Sequence, residues 1–254
     1  MKYKESSQCD RWVFTNEQLA ELRGAKLEST LRVLTQVLLR RRWVRDLAPP
    51  SLEEQELLLR YYGSKLQAIC AELKLPRKVL GTCVTFLKRM YVHSCVLEVD
   101  PQTIFLTCLY LACKTEESYI SAAELGRLSG MRAEIVLGTE LTLLQGLKFD
   151  LIVFSPFNAI EGFMQAGIKI QNPAALVLSP DEQPEETVHK LAAVLRSIDE
   201  LGALGSATLD LEEIAAIDRR VKACRAVLSE TSRKAAKGKP SGKSGTKEAI
   251  AAKA

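Results

Sequence analysis

The sequence predicts an all-α protein. Three observations carry the prediction: helix start and stop signals recur along most of the chain, almost nothing alternates with the period of two that a strand requires, and the segment from Ile104 to Cys113 is apolar nearly all round. A helix of that last kind is stable when other helices surround it. The expected core is a bundle of four helices packed around this apolar one.

The first long segment begins at Thr15, with Gln18 three residues on as in a capping box, and carries Leu19, Leu22, Leu27, Leu31, Leu34 and Leu38 at steps of three to five. Ala48-Pro49-Pro50 stops it. Five helices are expected next. The first is capped by Ser51 with Glu54 and has an apolar face through Leu58, Tyr62, Leu66, Ile69 and Leu73. The second starts near Pro76 and runs through Val79, Leu80, Cys83, Phe86, Leu87 and Met90. The third has Asp100 before Pro101 and contains the apolar segment. The fourth is short, capped by Ser121 with Glu124 and closed by Gly130. The fifth runs from about Arg132 to Leu147, with Ile135, Val136, Leu143, Leu144 and Leu147 toward its buried side.

Beyond Ser155-Pro156 the pattern weakens. Residues 167–187 mix apolar clusters with Pro173, Pro180 and Pro184 and read as loop, whereas 185–202 and 209–229 are amphipathic enough to pack as helices. The end of the chain is built from Lys, Ala, Gly and Ser and lacks the apolar content to fold by itself. The expected divisions are an amino-terminal helix and linker (1–50), a five-helix domain (51–155), an incomplete second helical repeat (156–230) and a disordered basic tail (231–254).

Composition narrows the functional classes. A 254-residue chain with 47% apolar residues can bury a sizeable core. Residues 231–254 hold seven Lys or Arg against one acid, so of the formal charge of +4 the rest of the chain carries −2. A polyanion would meet the tail rather than a basic face of the fold, and direct nucleic-acid binding is not expected. The seven cysteines form no CxxC pair and sit mostly among Leu, Val and Ala, which reads as reduced core residues of an intracellular protein. With only His93 and His189 to add, no metal site is expected, and no cofactor either. A polar start and the lack of a long apolar run predict a soluble chain without a signal peptide or membrane span. No Gly-rich phosphate loop, HExxH or GxSxG occurs, so an enzyme is not expected.

Three stretches carry a resemblance: LPRKVLGTCVTFLKRMY (75–91), DPQTIFLTCLYLACKTEE (100–117) and TELTLLQGLKFDLIVFSPFNAIEGF (139–163). They resemble the cyclin box, and LACKTEE is the most specific of them. SSQCDRWVFTNEQLAELR (6–23) is similar to the amino-terminal helix of the cyclin H branch, which separates it from cyclin C. The resemblance implies a regulatory subunit that binds and activates a cyclin-dependent kinase. In that family a Lys ending the third helix and a Glu in the fifth bond to backbone groups flanking the kinase's movable C-helix; the matching positions are Lys114 and Glu140. A charged side chain aimed at main-chain groups makes a strong bond that demands no particular partner side chain. Tyr110, Glu117, Leu137 and Leu144 are expected to complete the interface. The implied partners are the catalytic subunit of the CDK-activating kinase, its assembly factor and TFIIH, and the implied compartment is the nucleus, with the cytoplasm second.

The chain also departs from the family. A second five-helix repeat needs on the order of a hundred residues, and only 75 lie between Ser155 and the tail. The tail suits nuclear import or loose contact with nucleic acid, or equally a solubilising role. Arg40-Arg41-Arg42 complements a helix dipole at its carboxyl end, the other reading being a phosphate or phosphopeptide contact. The substrate-docking MRAIL sequence of cell-cycle cyclins is replaced by ELLLRYYGSKL, so recruitment through that groove is not expected. The alternative readings are a cyclin-box interaction protein that has lost kinase activation and a cyclin C-type transcriptional cyclin.

Overall fold

Capping chemistry sets where most of the helices begin. The computed structural model describes residues 3–40, 47–155 and 209–237. Among these are eight α-helices, a 3-10 turn at Tyr3–Glu5 and no strand. Helix α1 (Ser7–Arg11) is capped by Ser6, whose Oγ accepts from the Cys9 N–H. At α2 (Asn16–Arg40) the Gln18 N–H donates to Thr15 Oγ1 at 3.2 Å, and the Thr15 N–H donates to Gln18 Oε1 at 2.9 Å. The same reciprocal pair joins Ser51 and Glu54 at α3 (Leu52–Glu72). Helix α4 (Arg77–Met90) starts one residue after Pro76, which occupies the N-cap without a side-chain bond. Asp100 caps α5 (Pro101–Thr115), with Pro101 in the first turn. Ser121 caps α6 (Ala122–Ser129), and α7 (Ala133–Gly146) follows it after a short turn.

The ends of the helices hold a feature the sequence did not announce. Gly130 closes α6 at φ 69°, as expected of a left-handed cap. Helices α3, α5 and α7 use the same left-handed conformation at Lys74, Glu117 and Lys148, none of them glycine. In each, the following N–H returns to the last turn: Leu75 to the Cys70 carbonyl, Ser118 to Cys113 and Phe149 to Leu144, at 2.8–3.0 Å. These bonds satisfy carbonyls that the helix end would otherwise leave open. They also reverse the chain sharply where α5 and α7 finish.

Helix α5 is the centre, packed by α3, α4, α6 and α7. Ile104, Leu106, Leu109, Leu111 and Ala112 are buried around its circumference, as its apolar composition requires. Two glycines permit close approach. A Cβ on Gly126 would stand 2.4 Å from the Met131 carbonyl oxygen, and one on Gly146 would stand 2.2 Å from Met90 Sδ. Six cysteines are buried and Cys9 partly so, and all seven are free thiols. Burial pushes the Cys113 thiol up to about 12 and the Cys108 thiol higher still, so both stay neutral core side chains.

Helix α8 (Leu211–Lys237) docks on α2 and α3. Ile214, Ile217, Val221 and Cys224, spaced three, four and three apart, form its buried stripe. Fully burying an Ile or Val side chain contributes about 1.5–3 kcal/mol. Arg220 pairs with Glu54, and Arg225 pairs with Asp100 at 2.6 Å, so α8 reaches the capping residues of both α3 and α5. The stretch expected at 209–229 therefore packs on the five-helix block. It runs on to Lys237, inside the segment expected to be a disordered tail. The loop expected at 167–187, the helix expected at 185–202, Arg41-Arg42 and the residues from 238 on lie outside the described residues. Among the described residues no helix is long and apolar enough to cross a membrane.

Candidate functional site

Helices α5 and α7 lie side by side, and two threonines near their middles bond them to each other. Thr107 Oγ1 and Thr139 Oγ1 are 2.6 Å apart, and Thr107 Oγ1 also lies 3.3 Å from the Val136 carbonyl. About two turns along α5 from Thr107, Lys114 Nζ donates to Glu140 Oε1 at 2.5 Å. The Lys114 side chain is 48% exposed and that of Glu140 20%. An ion pair this exposed adds about 0–1 kcal/mol to stability. Its effect is to present an ammonium and a carboxylate together at the surface. The Lys114 ammonium also lies 5.2 Å from the centre of the Tyr110 ring, an electrostatically favourable placement.

Glu116 fixes the end of α5 from the other side. Thr82 Oγ1 donates to Glu116 Oε1 at 2.6 Å, and Lys78 Nζ donates to the Glu116 carbonyl at 3.0 Å. The chain then reverses at Glu117, which is exposed, and carries Tyr119 out at 93% exposure. On α7, Val136 and Leu143 are buried, as is Leu147 just past its end. Leu137 and Leu141, one turn apart, are 48% and 59% exposed and make an apolar stripe on the outer side. Of the six residues expected here, Lys114 and Glu140 meet, Tyr110 lies beneath the ammonium, and Glu117 and Leu137 are exposed. Leu144 and Tyr110 are half-buried, packed against the core. Leu141 and Tyr119 were not expected, although Leu141 stands four residues after Leu137 and so shares its face.

A second cluster secures the segment after α7. Asp150 is buried and accepts from Arg11 Nη2 at 2.8 Å and from Trp12 Nε1 at 2.9 Å. Arg89, also buried, donates to the Asp150 carbonyl at 2.8 Å and to Gln8 Oε1 at 3.1 Å. Burial lowers the Arg89 pKa, and the nearby Asp150 charge opposes that shift. Gln8 Oε1 in turn accepts from the Phe154 N–H at 2.8 Å. The guanidinium of Arg89 and the ammonium of Lys148 lie 5.0 and 5.6 Å from the Trp12 ring. Helix α1 is thereby tied to residues 148–154, beside the carboxyl end of α7. Among the described residues no group of three or more His, Cys, Asp or Glu could hold a metal ion.

The family described as "Cyclin, N-terminal domain" matches residues 53–152, from the start of α3 to just past α7. This part of the chain is a cyclin box. Within the cyclins the resemblance is to the H group. Cyclin-H1-1 of Arabidopsis thaliana is 34% identical over 182 residues, which cover 64% of this chain and 54% of that one. Cyclin-H of Xenopus laevis is 34% identical over 202 residues, 71% of this chain and 59% of that one. Cyclin-C1-1 of Arabidopsis thaliana reaches 27% over 124 residues and 45% of this chain. The chain spans about half the length of the curated cyclin H relatives it matches. A chain in the CAK complex of Chaetomium thermophilum superposes with a TM-score of 0.60 at 23% identity, over 90% of this chain and 79% of that one. A chain of the yeast TFIIK complex gives 0.55 at 23%, over 89% of this chain and all of that one. At that identity the likeness shows the fold.

Proposed function

We propose that this chain is a cyclin H-like regulatory subunit, not itself an enzyme, that binds the catalytic subunit of a CDK-activating kinase and activates it. The observation that carries the reading is the meeting of Lys114 with Glu140 on the surface beside Leu137 and Leu141, inside a cyclin box. Cyclin H relatives and likeness to chains of CAK and TFIIK complexes support the choice of partner, and through them a nuclear setting in transcription.

The mechanism is a shift of population. A free cyclin-dependent kinase holds its C-helix outward, so the Lys and Glu that position the ATP phosphates do not meet. Lys114 and Glu140 bond main-chain groups flanking the inward helix, Tyr110 and Glu117 border them, and Leu137, Leu141 and Leu144 cover its apolar side. Only contacts made better to the inward arrangement shift the equilibrium, and each 1.4 kcal/mol of such preference shifts it about tenfold. Phosphorylation of kinase activation loops and of the RNA polymerase II tail follows from that activation.

The test is co-purification of the full chain with the CDK-activating kinase catalytic subunit, with a kinase assay, for the wild type and for Lys114→Ala with Glu140→Ala. Hydrogen bonds to charged groups contribute about 1.5–3 kcal/mol each, so the double variant is expected to lose binding by at least about tenfold and to lose activation with it. A wild-type chain that folds yet neither binds nor activates the kinase contradicts the proposal.

A further inference from the structure

Two side chains that line one cavity where α2 meets the cyclin box each hold a buried nitrogen with no acceptor among the described residues. Arg23 Nε, on α2, and Gln55 Nε2, on α3, each lie out of contact with solvent without a hydrogen-bond partner. Both residues line one cavity of about 10 Å³, together with Glu56, Tyr91, Ser94 and Cys95. The orientation of the Gln55 amide is fixed independently of that cavity, because its Oε1 accepts from the Val96 N–H at 3.4 Å, which leaves Nε2 as the free end. The Arg23 guanidinium is likewise fixed, by its Nη1 bond to Glu56 Oε1 at 2.8 Å. Neither side chain can turn to another partner without breaking a bond that it already makes.

We infer that a single water molecule occupies this cavity and joins α2 to α3 and to the turn after α4. The chemistry selects the ligand. Two buried N–H donors beside one cavity disfavour a cation and call for lone pairs. A monatomic anion would also meet them, but the Arg23 charge is already matched by Glu56, a residue of the same cavity wall whose negative charge disfavours a second anion. Water accepts from Arg23 Nε and Gln55 Nε2 and has two protons left, for which Glu56 and Ser94 offer acceptors. Buried waters typically make two to four such bonds, and a cavity of roughly 10–15 Å³ accommodates one. The site sits on three elements brought together from distant parts of the chain. Its occupant helps to set the register of α2 against the box.

A crystal structure of the full chain grown with bromide in place of chloride tests the inference. One solvent peak without anomalous signal, about 3 Å from both nitrogens, is the expected result. An anomalous bromide peak there overturns it in favour of an anion, and so does density showing both nitrogens bonded to protein acceptors. In solution, the side-chain amide protons of Gln55 should show the magnetisation transfer of a long-lived water; its absence from an assigned spectrum contradicts the inference as well.

Discussion

Replacing Asp150 by Ala takes the acceptor from Trp12 Nε1 and Arg11 Nη2 and removes the negative charge that offsets the burial of Arg89. Leaving such groups unpaired costs about 1–3 kcal/mol each, and more for a charge. Asp150→Ala is expected to lower the unfolding free energy by about 2–4 kcal/mol, read by urea denaturation, whereas Asp150→Asn, which keeps one acceptor, should cost less. His93 gives a pH prediction. Burial, then the Lys148 charge, lowers its pKa below 6.5, so between the two values the unfolded chain binds the proton more readily than the folded one. The His93 contribution to stability is therefore level above pH 6.5 and falls as the pH drops through that value toward the folded pKa. In His93→Gln this part of the slope should vanish from melting temperatures taken between about pH 7.5 and 5.5. Lys114 and Glu140 were expected as a site through resemblance, one in LACKTEE and the other in the stretch that begins at Thr139, and the structure adds that they meet. The Asp150 cluster was not expected: Trp12 and Asp150 both fall inside quoted stretches, but spacing gives no sign that residues 138 apart touch.

At the scale of the element, the helix starts were readable because capping is local: Thr15 with Gln18, Ser51 with Glu54, Asp100 and Ser121 each act within three residues. The ends were harder to read, since Lys74, Glu117 and Lys148 adopt a conformation that sequence reasoning assigns to glycine. Glycine itself divides into two cases here. At Gly24, in α2, a Cβ would meet nothing within 4 Å, so Gly24→Ala is expected to stabilise the protein by about 0.5–1 kcal/mol through the backbone freedom it removes from the unfolded chain. At Gly126 the same methyl would collide with the backbone carbonyl of Met131, and Gly126→Ala should destabilise by about 1–3 kcal/mol. Thermal melts of the two variants with opposite signs would bear this out; equal effects would contradict the described turn between α6 and α7. The outer face of α7 was half readable. Periodicity marks Leu137 and Leu141 together, but whether Leu144 turns outward depends on where its neighbours lie, and it packs partly against the core.

For the whole molecule, one apolar helix surrounded by others was plain in the sequence, because α5 has no polar face to give to solvent. The place of α8 was not, since an amphipathic stripe says that a helix packs and not on what. Ile214, Ile217 and Val221 settle on α2 and α3, so the cyclin box is flanked by helices from both ends of the chain. The fold leaves Lys114 at the end of α5 and the outer face of α7 exposed, with an ion pair and an apolar stripe there. The most direct test of that face is the affinity of the full chain for the CDK-activating kinase catalytic subunit, measured by calorimetry for the wild type, for Leu141→Asp, and for Arg32→Ala on exposed α2 as a control. A charge in the middle of an apolar contact costs several kcal/mol, so Leu141→Asp should weaken binding more than about tenfold while Arg32→Ala leaves it unchanged. Equal affinity for all three proteins would contradict the account, because the kinase would then be bound through some other face.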